Sequence, residues 1–458
     1  MKNVGFKIIF LFTLVLGFSS QAQSKKWTIQ ECVDYALKNN ISIKQTDLDA
    51  QTTAISKKDA IGNFLPTINA NASHSWNIGL NQNITTGLLE NQTTQFTSAG
   101  LNSSIDIYNG LQNQNRLRRA NLSILSSQYQ LTKMKDDISL NVANAFLQIL
   151  FNKENLKVQK EQLANDEKQQ KRSEELVASG VVPRGDLLDV KATVAADKQR
   201  VVAAENTLFL SKLSLAQLLQ LDDFKDFDIA DADYEVKPSA TMLETPEAII
   251  AKAKQERVEL KIAKANLEIA EKDFKIAKGA FQPSLTGFYS FSTRASYSDR
   301  IVGVDGSGNL IFSGPLSLFD QFSNNKGHNF GMQLNIPILN GFSVKNNVER
   351  SKIALERSKT VEKQATLDLE RNVYTAITDA KGALNAYESA TTTLEARKEA
   401  FNYAKEKYAV GMMNSFDYNQ AQLLYANAQS EVIRTKYDYI FKVKVVEFYF
   451  GIPIIENK

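Results

Sequence analysis

The sequence predicts a mainly helical chain of long antiparallel coiled coils, with four amphipathic strands that belong to a β-barrel in a membrane. Three observations carry this expectation. Two long stretches lack both proline and glycine, 111–179 and 186–237. Other segments alternate apolar and polar residues directly after a proline. The whole pattern then recurs in the second half of the chain.

Composition narrows the functional classes. The 458 residues carry a formal charge of +3, which offers no basic footprint for nucleic acid. Two histidines, His74 and His328, and one cysteine, Cys32, leave no internal disulfide, no Cys/His zinc site and little room for a histidine-based triad. No enzyme, cofactor or metal site is expected. At 43% hydrophobic residues the chain is no bundle of membrane-spanning helices, each of which needs ~20 mostly apolar residues.

Residues 1–22 have the form of a secretory signal. Lys2 and Lys7 precede the apolar run Ile8 to Phe18, and Ser19, Ser20, Gln21 and Ala22 follow it. The run is shorter than the ~18 residues a spanning helix needs, so cleavage near Ala22 and export are expected. Cys32 lies about ten residues beyond that point and reads as a small apolar side chain on a helix face.

After Pro66, Ile68, Ala70, Ala72, His74, Trp76 and Ile78 alternate with polar residues. Leu101, Ser103, Ile105 and Ile107 do so on the return, across a link rich in Gly, Asn and Thr. Period two means strand, so 66–108 reads as one long hairpin. The long runs that follow are helices, because proline costs ~3 kcal/mol inside one. Within the second run Leu187, Val194, Val201, Leu208 and Leu215 recur every seven positions, with Val190, Ala204 and Leu218 between them. This heptad imposes left-handed supercoiling along neighbouring helices. The acidic stretch Asp222 to Glu235 reads as a solvated connector.

The chain is written twice. Asn109-Gly110 recurs as Asn340-Gly341 and Gly180 as Gly411, both 231 positions on. At that offset the heptad becomes Tyr418, Tyr425, Val432, Tyr439 and Val446. Upstream, Phe64-Leu65-Pro66-Thr67 recurs as Phe281-Gln282-Pro283-Ser284 at an offset of 217. The two structural repeats are therefore 23–237 and 238–458, and 14 extra residues fall between Pro283 and Met332. There Leu285, Gly287, Tyr289 and Phe291 run out, and Phe330, Met332, Leu334, Ile336 and Ile338 return, giving a second hairpin over 283–339. Asp305-Gly306-Ser307-Gly308-Asn309 joins them and reads as a turn, since its spacing does not suit a calcium loop.

Four strands cannot close a barrel. An open edge in lipid leaves backbone groups unpaired at several kcal/mol each, so copies of the chain must share one sheet. Two copies supply eight strands and three supply twelve, and the larger leaves a wide polar lumen.

Two rounds of helix, proline-marked hairpin, long helix, glycine-marked turn and helix resemble the TolC family of outer-membrane efflux proteins over essentially the whole mature chain. Thr28-Ile29-Gln30-Glu31-Cys32-Val33-Asp34-Tyr35-Ala36-Leu37-Lys38-Asn39-Asn40 is similar to the family's start, and Val410-Gly411-Met412-Met413-Asn414-Ser415-Phe416-Asp417 to its hairpin tip. The resemblance implies an outer-membrane homotrimer with a twelve-stranded barrel and a twelve-helix periplasmic tunnel. It also implies docking on a periplasmic adaptor, a membrane fusion protein, that serves an inner-membrane pump of RND or ABC type.

The same resemblance places function at the tips. A glycine turn touches the adaptor, and an aspartate six residues later narrows the entrance; Asp186 and Asp417 stand there after Gly180 and Gly411. Three symmetry-related carboxylates around a narrow pore would favour cations. The alternative is that each aspartate caps the helix that follows. Where the family has a further aspartate in the second repeat this chain has Gln420, while Asp189 supplies one in the first. The family's latch joins the first aspartate to a tyrosine and an arginine; Asp186 and Tyr408 match, but the arginine position is Met413. Gly180, Val181, Val182, Gly411, Met412 and Met413 are expected to meet the adaptor, because exposed apolar side chains at a turn mark a partner surface. A competing reading, a periplasmic coiled-coil adaptor or scaffold, has no need of the two strand hairpins.

Overall fold

The structure, a computed structural model, describes residues 26–83, 85–231, 234, 236 and 239–453. The expected signal segment lies outside them. In order, the chain forms β1 (Lys26–Trp27), α1 (Ile29–Asn39), α2 (Ile41–Gly62), β2 (Thr67–Gln82), β3 (Leu89–Asn109), α3 (Gln112–Ala178), α4 (Arg184–Leu219) and β4 (Asp228–Ile229). A short 3-10 turn over Ala240–Leu243 leads to α5 (Pro246–Glu256), α6 (Val258–Gly279), β5 (Ser284–Ser296), β6 (Arg300–Val304), β7 (Leu310–Ser313), α7 (Leu318–Asn324), β8 (Gly327–Asn335), α8 (Ser343–Ala409) and α9 (Ser415–Phe450). Helices α3 and α8 both have 67 residues, and α4 and α9 both have 36. No described helix is long and apolar enough to cross a membrane.

The chain divides into two units. One takes residues 1–48, 129–261 and 364–458, the other 49–128 and 262–363. Each sequential half contributes to both.

The first unit is helical. Helix α1 starts with a capping box: Glu31 N donates to Thr28 Oγ1 at 3.2 Å, and Thr28 N donates to Glu31 Oε2 at 2.9 Å. Cys32, Val33 and Ala36 of α1 then bury against a core that includes Val142, Phe146 and Ile149 of α3 and Leu215 and Leu219 of α4. A second core joins Ile249, Ile250 and Ala253 of α5 to Val373, Ile377 and Ala380 of α8 and Val446 of α9. Burial pushes the Cys32 thiol up to about 12. Helix α4 ends at Leu219, short of the expected run to 237, because Gln220 takes a left-handed φ of 63° and closes the last turn. In the acidic connector beyond it, Asp228 pairs with Lys212 at 2.8 Å and Asp231 with Lys153 at 2.7 Å and Lys26 at 2.5 Å. No group of acidic, Cys or His residues that could hold a metal occurs among the described residues.

The second unit holds a four-stranded antiparallel sheet in the order β2-β3-β5-β8. Its register runs from Thr67 opposite Ser104 to Gln82 opposite Leu89, and from Leu101 opposite Phe291 to Tyr289 opposite Phe330. Pleating sends alternate side chains to opposite faces. One face collects Ile68, Trp76, Ile78, Leu101, Phe330 and Met332; the other collects Asn71, Ser73, Asn102, Ser290 and Asn329. On the polar face Ser290 Oγ donates to Asn102 Oδ1 at 2.7 Å, and Asn102 Nδ2 to Asn71 Oδ1 at 3.2 Å. On the apolar face His74 Nδ1 meets Thr97 Oγ1 at 2.7 Å, and His328 Nδ1 meets the Tyr289 hydroxyl at 2.9 Å. Trp76, Ile78 and Phe330 are 60%, 82% and 78% exposed, so nothing among the described residues covers that face at these positions.

Three strand expectations change. The link between β2 and β3 shrinks to 83–88, because the Thr- and Asn-rich stretch from Leu89 extends β3 in ladder with 77–82. Ile336 and Ile338 lie beyond the end of β8; Pro337 has no N–H to donate. Asp305 to Asn309 does not join β5 to β8 directly but turns a separate hairpin, β6–β7, where Asp305 Oδ1 accepts from Ser307 N at 2.7 Å and Asn309 N at 2.8 Å. This hairpin and α7 fill the extra length of the second half. Gln321 of α7 anchors it by exchanging two 2.9 Å bonds with the Ser296 backbone.

Candidate functional site

The two helical-hairpin tips both belong to the helical unit, and their backbones match bond for bond. At the first, Gly180 N donates to Val177 O at 3.1 Å and Val181 N to Leu176 O at 2.9 Å. At the second, Gly411 N donates to Tyr408 O at 3.2 Å and Met412 N to Lys407 O at 2.8 Å. This helix stop needs a left-handed residue, and Gly180 and Gly411 supply φ of 73° and 79°. The side chains that follow are presented outward: Val181 is 67% and Met412 77% exposed. Val182 and Met413 are half-buried.

Neither aspartate is the capping residue. Pro183 and Asn414 occupy the N-caps, and Asp186 and Asp417 sit three places inside, in the first turn. Asn414 Oδ1 accepts from Asp417 N at 2.8 Å, and Asn414 Nδ2 donates to Asp417 Oδ2 at 3.0 Å. Pro183 has no side-chain acceptor, so the first tip relies on a 3.2 Å bond from Asp186 N to Pro183 O. A carboxylate in a first turn still complements the helix dipole. Asp186 is half-buried; Asp189 and Asp417 are exposed.

Tyr408 does not meet Asp186 within the chain. Its hydroxyl accepts from Gln169 Nε2 of α3 at 2.6 Å, and its ring stacks on Tyr418 at 4.6 Å between centroids. Tyr418 also lies 5.7 Å from Phe401, which stacks on Tyr425 at 5.5 Å. Burial pushes the Tyr418 hydroxyl up to about 12, and Asp166 and Tyr408 add to the shift.

The residues that sequence reasoning missed lie just behind the first tip. Asp166 of α3 and Asp197 of α4 are 2% and 1% exposed, with their carboxyls within hydrogen-bonding reach of each other. Gln162 Nε2 donates to Asp166 Oδ2 at 2.9 Å, and Gln422 Nε2 of α9 donates to Asp166 Oδ1 at 2.7 Å. Arg200 Nη1 pairs with Asp197 Oδ1 at 2.6 Å. Burial, then the adjoining Asp197 carboxyl, raise Asp166 to about 7, so the pair retains one proton into the neutral range. A cavity of about 340 Å³ opens beside them, lined by Asp166, Asp189, Arg200, Phe416, Gln420 and Gln422. One signal was available: Asp197 interrupts the apolar seam between Val190 and Ala204, and a charge in a seam must be paired or protonated.

Comparison with known proteins agrees with this architecture. The sequence profile described as Outer membrane efflux protein matches residues 32–220 and 249–443. The chain is 23% identical over 379 residues to the outer membrane protein TolC of Vibrio cholerae, covering 79% of each chain. It is 22% identical over 333 residues to the pyoverdine export outer membrane protein OpmQ of Pseudomonas aeruginosa, covering 70% of this chain and 63% of OpmQ. In fold it is similar to the CmeC outer membrane channel of Campylobacter jejuni, with a TM-score of 0.78 at 19% identity over 94% of this chain and 87% of CmeC. It is also similar to VceC of Vibrio cholerae, with a TM-score of 0.76 at 14% identity over 92% of this chain and 96% of VceC. With two profile matches that together span most of its length, the chain belongs to the outer membrane efflux protein family and resides in the outer membrane.

Proposed function

We propose that three copies of this chain form a passive duct, with a shared twelve-stranded barrel in the outer membrane and a periplasmic tunnel of twelve helices. The duct takes substrates from a periplasmic adaptor and, through it, from an inner-membrane pump of RND or ABC type. The observation that carries this reading is the sheet: one apolar face, one polar face, and two outer strands whose outer edges have no strand partner among the described residues. Such a sheet is tolerated in lipid only when closed. The equal helix lengths of the two halves support an internal two-fold repeat, so that each chain supplies two of six like segments.

In this reading Gly180, Val181, Val182, Gly411, Met412 and Met413 meet the adaptor, and Asp186 and Asp417, with Asp189 nearby, set the charge at the entrance. Tyr408 holds the second hairpin against α3 through Gln169 instead of latching to Asp186. Light scattering of the detergent-purified protein, with single-channel recording in planar bilayers, tests the duct: a three-chain, conducting particle is expected, and a non-conducting single chain refutes it. Asp186→Ala combined with Asp417→Ala is expected to lower cation preference, since the carboxylates supply the field; unchanged selectivity removes them from the entrance.

A further inference from the structure

The buried carboxyl pair sits where it can act on the first tip. Asp166 lies 14 residues before Gly180 on α3, and Asp197 lies 14 residues after Pro183 on α4, so the two meet across the hairpin about 20 Å behind its turn. Nothing repeats them in the second hairpin, where Arg397 and Ala428 stand at the matching positions. Their contacts are uneven. Asp166 accepts from Gln162 of its own helix and from Gln422 of α9. Asp197 gives one oxygen to Arg200, while its Oδ2 is buried without a hydrogen-bond partner among the described residues, as is Gln422 Oε1. A bare buried acceptor is costly. The Asp166 carboxyl is within hydrogen-bonding reach of Asp197, so a proton on Asp166 supplies the donor that Asp197 lacks and ties α3 to α4.

Without that proton two anions face each other with one cation between them. Arg200 is the only cation paired with either carboxyl among the described residues, and its side chain is 41% exposed. The other groups nearby do not offset the repulsion. Asp189 of α4, on the cavity wall, adds a negative charge. Tyr418 of α9, with Tyr408 of α8 stacked on it and Arg172 of α3 acting on its hydroxyl, stays neutral because that hydroxyl is pushed up to about 12. Glu167 of α3 and Lys198 of α4 pair with each other at 3.4 Å. Repulsion therefore acts between α3 and α4, while an ionised Asp166 is the better acceptor for Gln162 and Gln422. The cavity of about 340 Å³ beside the pair has room for water.

We infer that the proton shared by Asp166 and Asp197 locks α3 to α4 behind the first tip, and that its loss to solvent through the adjoining cavity parts the two helices there while Gln422 keeps α3 on the second hairpin. The first hairpin thereby opens, and the second, which has no such pair, stays closed. Asp166 titrates at about 7, so the change falls in the neutral range. In the three-chain duct it alters three of the six hairpins at the entrance. That consequence rests on the duct reading; the lock itself does not.

Two measurements on the full-length protein in detergent test the lock, and a third tests its consequence. Infrared difference spectra between about pH 5 and about pH 9 should show a protonated-carboxyl band that disappears near pH 7, and Asp166→Asn should remove it. A wild type without such a band overturns the shared proton. Hydrogen exchange read by mass spectrometry over 160–170 and 190–203 compares the wild type with Asp166→Asn, whose amide keeps position 166 neutral and donating at every pH. The two should exchange alike at about pH 5 and the wild type at least about threefold faster at about pH 9; equal rates at both overturn the opening. Should Asp166→Asn not fold, Asp197→Asn takes its place in both measurements. In single-channel recording the wild-type conductance should change at least about twofold over the same pH range, and Asp166→Asn should lose most of that change. An unchanged wild-type conductance overturns the effect on the entrance. A non-conducting protein that still shows the band and the exchange difference overturns the duct and supports the lock.

Discussion

The two helical hairpins, α3–α4 and α8–α9, have equal helix lengths and the same glycine-closed turn, yet different substances hold them. In the second, Tyr408 stacks on Tyr418 and Phe401 on Tyr425, with Phe401 tilted against Tyr418 to join the two pairs into one run of rings. In the first, the positions of Tyr418 and Tyr425 are Leu187 and Val194, and the seam holds the Asp166 and Asp197 carboxyls. At the matching positions of the second hairpin stand Arg397 and Ala428. Backbone rules thus fix length and turn, while the seam is free to be aromatic in one hairpin and titratable in the other. The first hairpin carries a titratable pair where the second carries rings, and Gln422 of the second hairpin donates to that pair.

The largest test of that contrast is Tyr418→Ala. Removing a buried ring that stacks on Tyr408 and meets Phe401 at a tilt should cost about 4 kcal/mol, whereas Leu187→Ala, at a half-buried position of the first hairpin, should cost about 2 kcal/mol. Thermal melts followed by the helical circular-dichroism signal compare them, and equal losses would erase the distinction. Next comes pH. Asp166 is raised to about 7 in the folded chain and is about 4 when unfolded, so the native state holds the extra proton between those values. Stability should therefore fall as pH rises from about 4 to about 7 and level off above, by on the order of 3 kcal/mol. Asp166→Asn should flatten the curve; the same slope in variant and wild type would dismiss the shared proton.

A smaller effect separates the tips themselves. Asn414→Ala removes the only side-chain cap of the two and should cost about 1 kcal/mol, with the same melts showing a smaller change for Pro183→Ala. The smallest has the opposite pH sign. Hydrogen bonds from Lys153 and Lys26 hold Asp231 at about 2, so its contribution is complete above pH ~4 and disappears as pH falls toward ~2. The Asp231 side chain is 64% exposed, which limits that contribution to a few tenths of a kcal/mol. Asp231→Asn should remove that acid-side loss without touching the neutral range.

What the sequence made legible follows the strength of each physical signal. Proline and glycine punctuation located α3, α8 and both tips within a few residues, since both residues are costly in a helix interior, although α8 runs on through Gly382. Alternation found all four sheet strands, but it missed the outer half of β3, where Thr and Asn face both sides and no period survives. With Pro337 beyond it, β8 ended three residues before the apolar pattern did. The capping expectation failed because a proline and an asparagine stood three positions earlier and took that role. Asp166 was invisible in its own segment; only the interruption at Asp197 marked the buried pair.

Cys32 is wholly enclosed by α1 and its neighbours, and its thiol ionises only near pH 12. A lone sulfhydryl in an oxidising compartment would ordinarily couple with strangers, because the thiolate is the species that attacks. Here desolvation withholds the anion and packing withholds the reagent, so the protein stays chemically mute toward maleimides and spin labels. Any probe attached through an engineered sulfhydryl elsewhere therefore reports from one known address.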